Sequence, residues 1–243
     1  MKGNVHQTVA IIPAGGAGRR MGGNTPKQYL LLHGIPLLVH TLRAFHDARS
    51  IDSIILAVPE DDIDEVRKNI VEKYFFTKVK DVVAGGRQRQ DSVGNALKRV
   101  DEDDEIVVVH DGVRPLVSVQ VIEKAVAEAQ KVGAVSVGVQ VKDTVKSVDK
   151  NGKVEKTVAR EGLWLIQTPQ VFKKNLIVDA YRRASEERFY GTDDASLVER
   201  AGIPVWMVPG EMENIKVTTR EDIDFCEMIL KHREFEKDAR RQI

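Results

Sequence analysis

Residues 8–21 read Thr8-Val9-Ala10-Ile11-Ile12-Pro13-Ala14-Gly15-Gly16-Ala17-Gly18-Arg19-Arg20-Met21. A short β-branched run stops at a proline and opens into a glycine-rich loop. A strand that is apolar at every position is buried on both faces, because alternation would leave polar residues on an exposed one. Further short runs, dominated by β-branched residues, lie at Ser53–Val58, Val79–Ala84, 105–109 and 135–141. Between the runs lie stretches of helical period. Residues 61–74 carry Ile63, Val66, Ile70 and Val71 on one face, and residues 118–132 carry Val119, Ile122, Val126 and Ala129. Strands alternating with helices imply right-handed crossovers and an α/β fold with a mostly parallel sheet.

The alternation breaks at residue 142. Residues 142–158 (KDTVKSVDKNGKVEKTV) are charged and β-prone, with Asn151-Gly152 at their centre. That dipeptide is the strongest two-residue hairpin signal, and few of its neighbours suit a core. The segment reads as a hairpin arm standing off the body. Open strand edges recruit partners, and a second copy of the chain is the simplest. The plainer reading is a surface hairpin with no partner. Beyond it, residues 163–166 and 205–208 read as strands, and residues 173–187 and 194–201 as helices. Thr218-Thr219-Arg220-Glu221 reads as a capping box opening a last helix. Ile223, Cys226, Ile229 and Leu230 share one face of it, so Cys226 reads as a core residue rather than a nucleophile. The charged stretch 231–241 reads as a solvated helix.

Composition excludes several classes. The 243 residues carry 37 Lys plus Arg and 37 Asp plus Glu, a net charge of zero, which argues against binding of a nucleic-acid polymer. Hydrophobic residues at 42% and charged residues at 30% are ordinary for a globular chain. The longest apolar run, residues 54–58, is far below the about 20 needed to span a bilayer. Residues 1–7 hold no signal-peptide core. The single cysteine has no partner for an intrachain disulfide, and no Cys/His spacing suits zinc. A reducing, cytoplasmic setting is the expectation, with no membrane partner.

The chemistry is concentrated after two strands. Residues 14–28 contain Arg19, Arg20 and Lys27 and no acid. A glycine-rich turn after the first strand lies at the carboxyl edge of the sheet, where open α/β sheets bind ligands. Glycines there let backbone N–H groups approach phosphate oxygens. The loop is neither G-x-x-x-x-G-K-[ST] nor a full G-x-G-x-x-G, because Met21 holds the last glycine position. A plain tight turn needs no cations aimed across it, and a triphosphate does. His110-Asp111-Gly112-Val113-Arg114-Pro115 follows the run at 105–109. A carboxylate at that strand end is a candidate Mg²⁺ ligand, since Mg²⁺ takes a few carboxylates together with substrate phosphates; the alternative is an Asp capping the next turn. His110 reads as a structural histidine, and Arg114 as a residue that orients the loop.

These motifs, taken with Pro26-Lys27-Gln28-Tyr29, Gly85-Gly86-Arg87-Gln88-Arg89-Gln90-Asp91-Ser92-Val93, Gly162-Leu163-Trp164, Gln167-Thr168-Pro169-Gln170, Thr192-Asp193-Asp194-Ala195-Ser196 and Asn214-Ile215-Lys216-Val217-Thr218, resemble the 2-C-methyl-D-erythritol 4-phosphate cytidylyltransferases. The resemblance runs in the family's order from about residue 8 to residue 225. It implies a single Rossmann-like nucleotidyltransferase domain over residues 1–243, with residues 142–159 a dimerisation arm. It implies that the 4-phosphate of methylerythritol attacks the α-phosphorus of CTP and releases pyrophosphate, a step of non-mevalonate isoprenoid synthesis. Arg20, Lys27 and Lys216 are then the catalytic cations. Ala14, Gly15, Gly16 and Gly112 cradle nucleotide, and Gly85, Gly86 and Ser92 read cytosine. Asp111 holds Mg²⁺ and places substrate. Thr144 and Arg160 reach the methylerythritol phosphate of a neighbouring subunit in a homodimer, with Thr168 and Thr192 also on the substrate side. Without the resemblance, Lys216 and Arg160 read as surface charges and Thr144 as an ordinary strand residue. Gly112-Val113 and Ala159 depart from the usual family pattern and touch fine substrate contacts rather than the reaction class. The rivals are a cytidylyltransferase for ribitol 5-phosphate or a similar polyol phosphate, and a non-catalytic nucleotide-binding regulator.

Overall fold

The computed structural model describes residues 7–16 and 26–241. Arg20, with Arg19 and Met21, lies outside the described residues. In chain order the strands are β1 (Gln7–Pro13), β2 (Leu31–Leu32), β3 (Ile35–Pro36), β4 (Ser53–Val58), β5 (Val79–Ala84), β6 (Asp104–Val109), β7 (Ala134–Gln140), β8 (Val145–Val148), β9 (Val154–Val158), β10 (Trp164–Lys173) and β11 (Trp206–Pro209). The helices are α1 (Leu37–Asp47), α2 (Ile63–Val66), α3 (Arg89–Leu97), α4 (Val119–Val132), α5 (Lys174–Glu186), α6 (Asp194–Arg200) and α7 (Arg220–Arg241).

Seven strands form one sheet in the order β11-β7-β10-β6-β1-β4-β5. β1 pairs in parallel with both β4 and β6, β4 with β5, and β7 with β11. Only β10 runs antiparallel to its neighbours in this sheet, β6 and β7. β1, β4 and β6 are buried on both faces along most of their length, whereas β5 at the sheet edge keeps Lys80 exposed. Ala10, Ile12, Ile54 and Leu56 face one layer, where Leu42 and Phe45 of α1 and Ile122 and Val126 of α4 cover them. Val9, Ile11, Ile55 and Ala57 face the other, covered by Val93 of α3, Ile177 and Ala180 of α5, and Leu197 and Val198 of α6.

From β1 the chain moves outward to β4 and β5, then crosses back to place β6 on the other side of β1. The strand order reverses there, so the carboxyl ends of β1 and β6 flank the crevice in which such sheets bind ligands.

Several expectations are refined. Helices α1 and α3 were not anticipated. Residues 61–74 wind in three modes: a 3₁₀ turn over Glu60–Asp62, α2, and a π-helical segment over Arg67–Glu72. The strand expected at 163–166 continues to Lys173; its register breaks between Ile166 and Gln170, where the Thr168–Pro169 bond is cis. β8 and β9 form their own two-stranded sheet. Val148 pairs with Val154, so the connection is residues 149–153 rather than a two-residue turn. Asp149 Oδ1 accepts from the N–H groups of Asn151 and Lys153 at 2.8 and 2.9 Å, and Gly152 takes φ +83°. The last helix opens on Asp222 rather than Glu221. Asp222 Oδ2 accepts from Thr218 N, Thr218 Oγ1 and Thr219 N at 2.7–2.8 Å, which satisfies donors at the helix start. Cys226, on the inner face of α7, is fully buried against Leu32, Leu37 and Val217, and burial pushes its thiol up to about 12.

Candidate active site

Three strand exits converge at the switch point. Ala14 N donates to Ala57 O at 2.7 Å and Gly112 N to Pro13 O at 3.1 Å, which locks the ends of β1, β4 and β6 together. Gly85 N donates to Val58 O at 2.7 Å and brings the end of β5 into line. The four exits leave a cavity of about 450 Å³ whose walls include Ala14, Gly15, Gly16, Lys27, Gly86, Ser92, Asp111 and Lys216. Arg87, Gln88 and Arg89 complete the side formed by the start of α3. Among the described residues, four cations (Lys27, Arg87, Arg89 and Lys216) share the cavity with one carboxylate, Asp111. The N-terminus of α3 adds its partial positive charge. A compact polyanion is what such a field attracts.

The loop before α3 is shaped by backbone approach. A Cβ on Gly86 would sit 2.2 Å from Asp91 Cβ, so only glycine fits there without a shift. Gly86 N donates to Ser92 Oγ at 3.0 Å, and Ser92 Oγ donates to Gln88 O at 3.2 Å. Gln88 N donates to Asp91 Oδ2 at 3.0 Å. Ser92 therefore braces the Gly85–Gly86 turn.

Asp111 is 6% exposed. Its Oδ1 accepts from Arg89 Nε at 2.7 Å, and its Oδ2 pairs with Lys216 Nζ at 2.8 Å. Burial alone would raise its pKa, but the Arg89 and Lys216 charges outweigh that and hold the carboxyl well below the usual carboxylate range. Lys216 is carried in by an anchored strap. Arg114 Nη1 donates to Asn214 O at 2.7 Å, Asn214 Nδ2 donates to Thr168 O at 2.7 Å, and Val217 N donates to Val113 O at 2.9 Å. Arg114 thus orients the strap.

His110 is fully buried beside Phe45, with ring centroids 4.8 Å apart. Its Nε2 lies 3.3 Å from Arg114 O and its Nδ1 3.0 Å from Thr168 Oγ1. These partners assign the proton to Nε2, leaving Nδ1 to accept from Thr168, whose oxygen in turn accepts from Asp111 N at 3.1 Å. Burial pushes His110 down to about 3, so the ring is neutral and structural.

The structure brings Ala14, Gly15, Gly16, Lys27, Gly86, Ser92, Asp111 and Lys216 to one cavity. Gly85 and Gly112 stand just behind its walls through the backbone bonds given above. Thr168 is 5% exposed with its hydroxyl engaged by Asp111 N and His110, so it sits behind Asp111 rather than facing the cavity. Thr144, Arg160 and Thr192 are exposed and do not line the cavity of this chain. Arg160 Nη1 donates to Lys142 O at the foot of the hairpin. Arg89 is the residue that the sequence reading passed over. Its signal is a cation on the first residue of a helix, where the macrodipole repels it. It rests there because two buried carboxylates, Asp111 and Asp194, take its guanidinium.

A cationic, glycine-walled crevice at the switch point of a mostly parallel sheet, with a buried carboxylate inside it, defines a nucleotidyltransferase. Residues 8–232 match the family described as 2-C-methyl-D-erythritol 4-phosphate cytidylyltransferase, and the chain belongs to that family. The enzyme of that name from Syntrophus aciditrophicus is 50% identical over 228 residues, covering 94% of this chain and 97% of the relative. That from Clostridioides difficile is 42% identical, covering 96% and 98%. Among solved structures, the 4-diphosphocytidyl-2C-methyl-D-erythritol synthase of Anaerococcus prevotii superimposes with a TM-score of 0.81 at 36% identity, covering 93% of this chain and 99% of that one. The Thermus thermophilus cytidylyltransferase gives 0.78 at 30% identity, covering 93% and 99%. As a member of the family the chain is an enzyme that transfers a cytidylyl group to methylerythritol phosphate in the non-mevalonate route to isoprenoid precursors.

Proposed function

We propose that the cavity between the ends of β1 and β6 binds CTP and methylerythritol 4-phosphate for this reaction. The observation that carries the reading is the set of four cations around one buried carboxylate at the switch point. The substrate phosphate is already ionised, so no base is needed to activate it. The obstacle is repulsion between two polyanions, which preorganised cations offset as charge builds in the transition state. Lys27 and Lys216 take the phosphoryl oxygens, Lys216 held at its post by Asp111, and the family resemblance gives Arg20, outside the described residues, the same role. Ala14, Gly15, Gly16 and Gly112 form the backbone frame for the triphosphate. The Gly85–Gly86 turn, braced by Ser92, presents a rigid backbone edge to cytosine.

One carboxylate on the cavity wall fits the way Mg²⁺ is held, by a protein oxygen plus substrate phosphates rather than by an all-protein cage. Among the described residues no cluster of three or more His, Cys, Asp or Glu is placed to hold a metal by itself. Asp111 is the residue that would hold the ion. When bound, Mg²⁺ supplies charge neutralisation of the phosphates.

We further infer a homodimer through the β8–β9 arm. Val148 and Val154 pair at the tip of the hairpin yet are 53% and 52% exposed. Trp206 on the edge strand β11 and Leu165 and Ile166 on β10 are exposed as well. Such an apolar edge calls for a partner. In that arrangement Thr144 and Arg160, absent from this chain's own cavity, serve the partner's methylerythritol phosphate. The cytoplasm suits an enzyme of this kind with one buried, unpaired cysteine. No helix among the described residues is long and apolar enough to cross a membrane.

The test is a pyrophosphate-release assay with CTP and Mg²⁺. Turnover is expected with methylerythritol 4-phosphate and not with ribitol 5-phosphate. Lys27→Ala should lower kcat by roughly 10²-fold, with a smaller change in the KM for CTP, as for loss of a transition-state contact. A variant with unchanged kcat removes Lys27 from the mechanism.

A further inference from the structure

Behind the cavity a line of side chains runs away from Asp111 through three helices. Arg89, the first residue of α3, donates Nε to Asp111 Oδ1 at 2.7 Å, and its Nη2 makes an ion pair, off hydrogen-bond geometry, with Asp194 Oδ2 at 2.8 Å. Asp194 opens α6 and is fully buried. Its other oxygen, Oδ1, accepts from the phenol of Tyr181 on α5 at 2.5 Å. Its backbone N–H donates to Gln170 Oε1 at 3.0 Å, which pins the start of α6 to β10. At the cavity end, Asp111 Oδ2 pairs with Lys216. Burial, with the Asp194 charge beside it, raises the Tyr181 phenol well above its ordinary value, so it remains a donor.

A guanidinium is planar, and its Nε and Nη2 edges are fixed relative to each other. Locking one edge on Asp194 therefore sets the angle at which the other meets Asp111. A buried carboxylate needs its partners, and the phenol supplies the one side-chain hydrogen bond that the structure gives Asp194, Oδ2 having only the Arg89 charge beside it. Without the phenol, Asp194 would turn toward the remaining cation and draw Arg89 off Asp111.

We propose that Tyr181 is a positioning residue of the active site: its hydroxyl, acting through Asp194 and Arg89, fixes the Asp111 carboxylate and with it the Lys216 ammonium. The proposal rests on the reading that Asp111 and Lys216 serve the reaction.

The experiment compares Tyr181→Phe, Arg89→Lys and the double variant by steady-state kinetics and thermal melting. Phenylalanine keeps the ring and removes only the donor. Tyr181→Phe is expected to lower kcat about 10-fold with the KM for CTP close to that of the parent, and to lower the melting temperature by only several degrees, as for loss of one hydrogen bond to a buried charged group in a protein that still folds. Arg89→Lys is expected to cost at least as much. The double variant is expected to be no worse than Arg89→Lys, because residues in one network act as a unit. Parental kcat in Tyr181→Phe overturns the proposal. So does a loss that multiplies with that of Arg89→Lys, or a variant that no longer folds, which would make Tyr181 a structural residue. Full activity in Arg89→Lys overturns the proposal as well, since the relay runs through that guanidinium, whereas full activity in Asp111→Asn would instead overturn the assignment of the Asp111 site.

Discussion

At Asp111 a carboxylate that is almost fully buried is matched by Arg89 from the start of α3 and Lys216 from a strap more than a hundred residues later. The two serve different ends. Arg89 is tied into a buried network, whereas the Lys216 side chain stays 42% exposed and open to an anion. Beneath them His110 keeps a single tautomer because both ring nitrogens are spoken for. That neutrality has a consequence for pH. The folded-state pKa of His110, about 3, lies below the unfolded value, so the unfolded chain binds the extra proton first. Stability should fall as pH drops from about 6.5 toward about 3, at up to about 1.4 kcal/mol per pH unit from this group, and be flat above that window. Asp111 adds nothing between about pH 7.5 and about pH 5.5, because its depressed pKa makes its contribution fall away only as pH drops through the unfolded carboxylate value of about 4. Urea midpoints at about pH 7.5 and about pH 5.5 should differ in the parent and differ much less in His110→Gln. Equal slopes in the two proteins would show that His110 is not the group responsible.

The elements that position these residues were legible in proportion to their periodicity. β4 was readable to the residue, because a strand buried on both faces is a continuous apolar run bounded by turns, and β5, at the sheet edge with Lys80 and Asp81 in it, was readable from its valines. Helix α3 was not. It buries only small or short side chains, Ser92, Val93 and Ala96, and carries Gly94 in its middle, so its hydrophobic period is faint. What holds it is its entry, where Asp91 and Ser92 bind back onto Gln88 and Gly86. Gly86→Ala tests that entry. The new methyl would meet Asp91 Cβ, and overpacking of this kind costs about 1–3 kcal/mol. The expected result is a lower melting temperature together with a KM for CTP raised about 10-fold as the turn is pushed out of line. Unchanged values for both would show that the turn tolerates a side chain. The cap of α7 shows a finer limit of sequence reading. Thr219 with Asp222 and Thr218 with Glu221 satisfy the same spacing, and only the direction of the chain entering the helix selects Asp222.

For the whole molecule, the exposed apolar pair Val148 and Val154 and the exposed edge at Trp206 bear on assembly. Sedimentation at micromolar concentration should show a dimer. Replacing both valines by Asp should shift it toward monomer and lower activity, if the arm supplies Thr144 and Arg160 across the interface. A parent protein that sediments as a fully active monomer would remove the arm from the mechanism.

The sequence by itself determined the alternation of strand and helix, the glycine-rich turn, the charged hairpin and the family, because local periodicity and motif order are written along the chain. Most of the cavity wall was legible the same way, from residues that follow strand ends. Only the tertiary structure decided which charges neutralise one another. Arg89, Asp194 and Tyr181 are far apart along the chain and meet only once α3, α5 and α6 pack on one face of the sheet. It also decided that Thr168 braces Asp111 from behind, and that Thr144 and Arg160 stand outside the cavity of their own chain. The physical reason is that burial and ion pairing depend on separation in space, which no spacing along the sequence encodes.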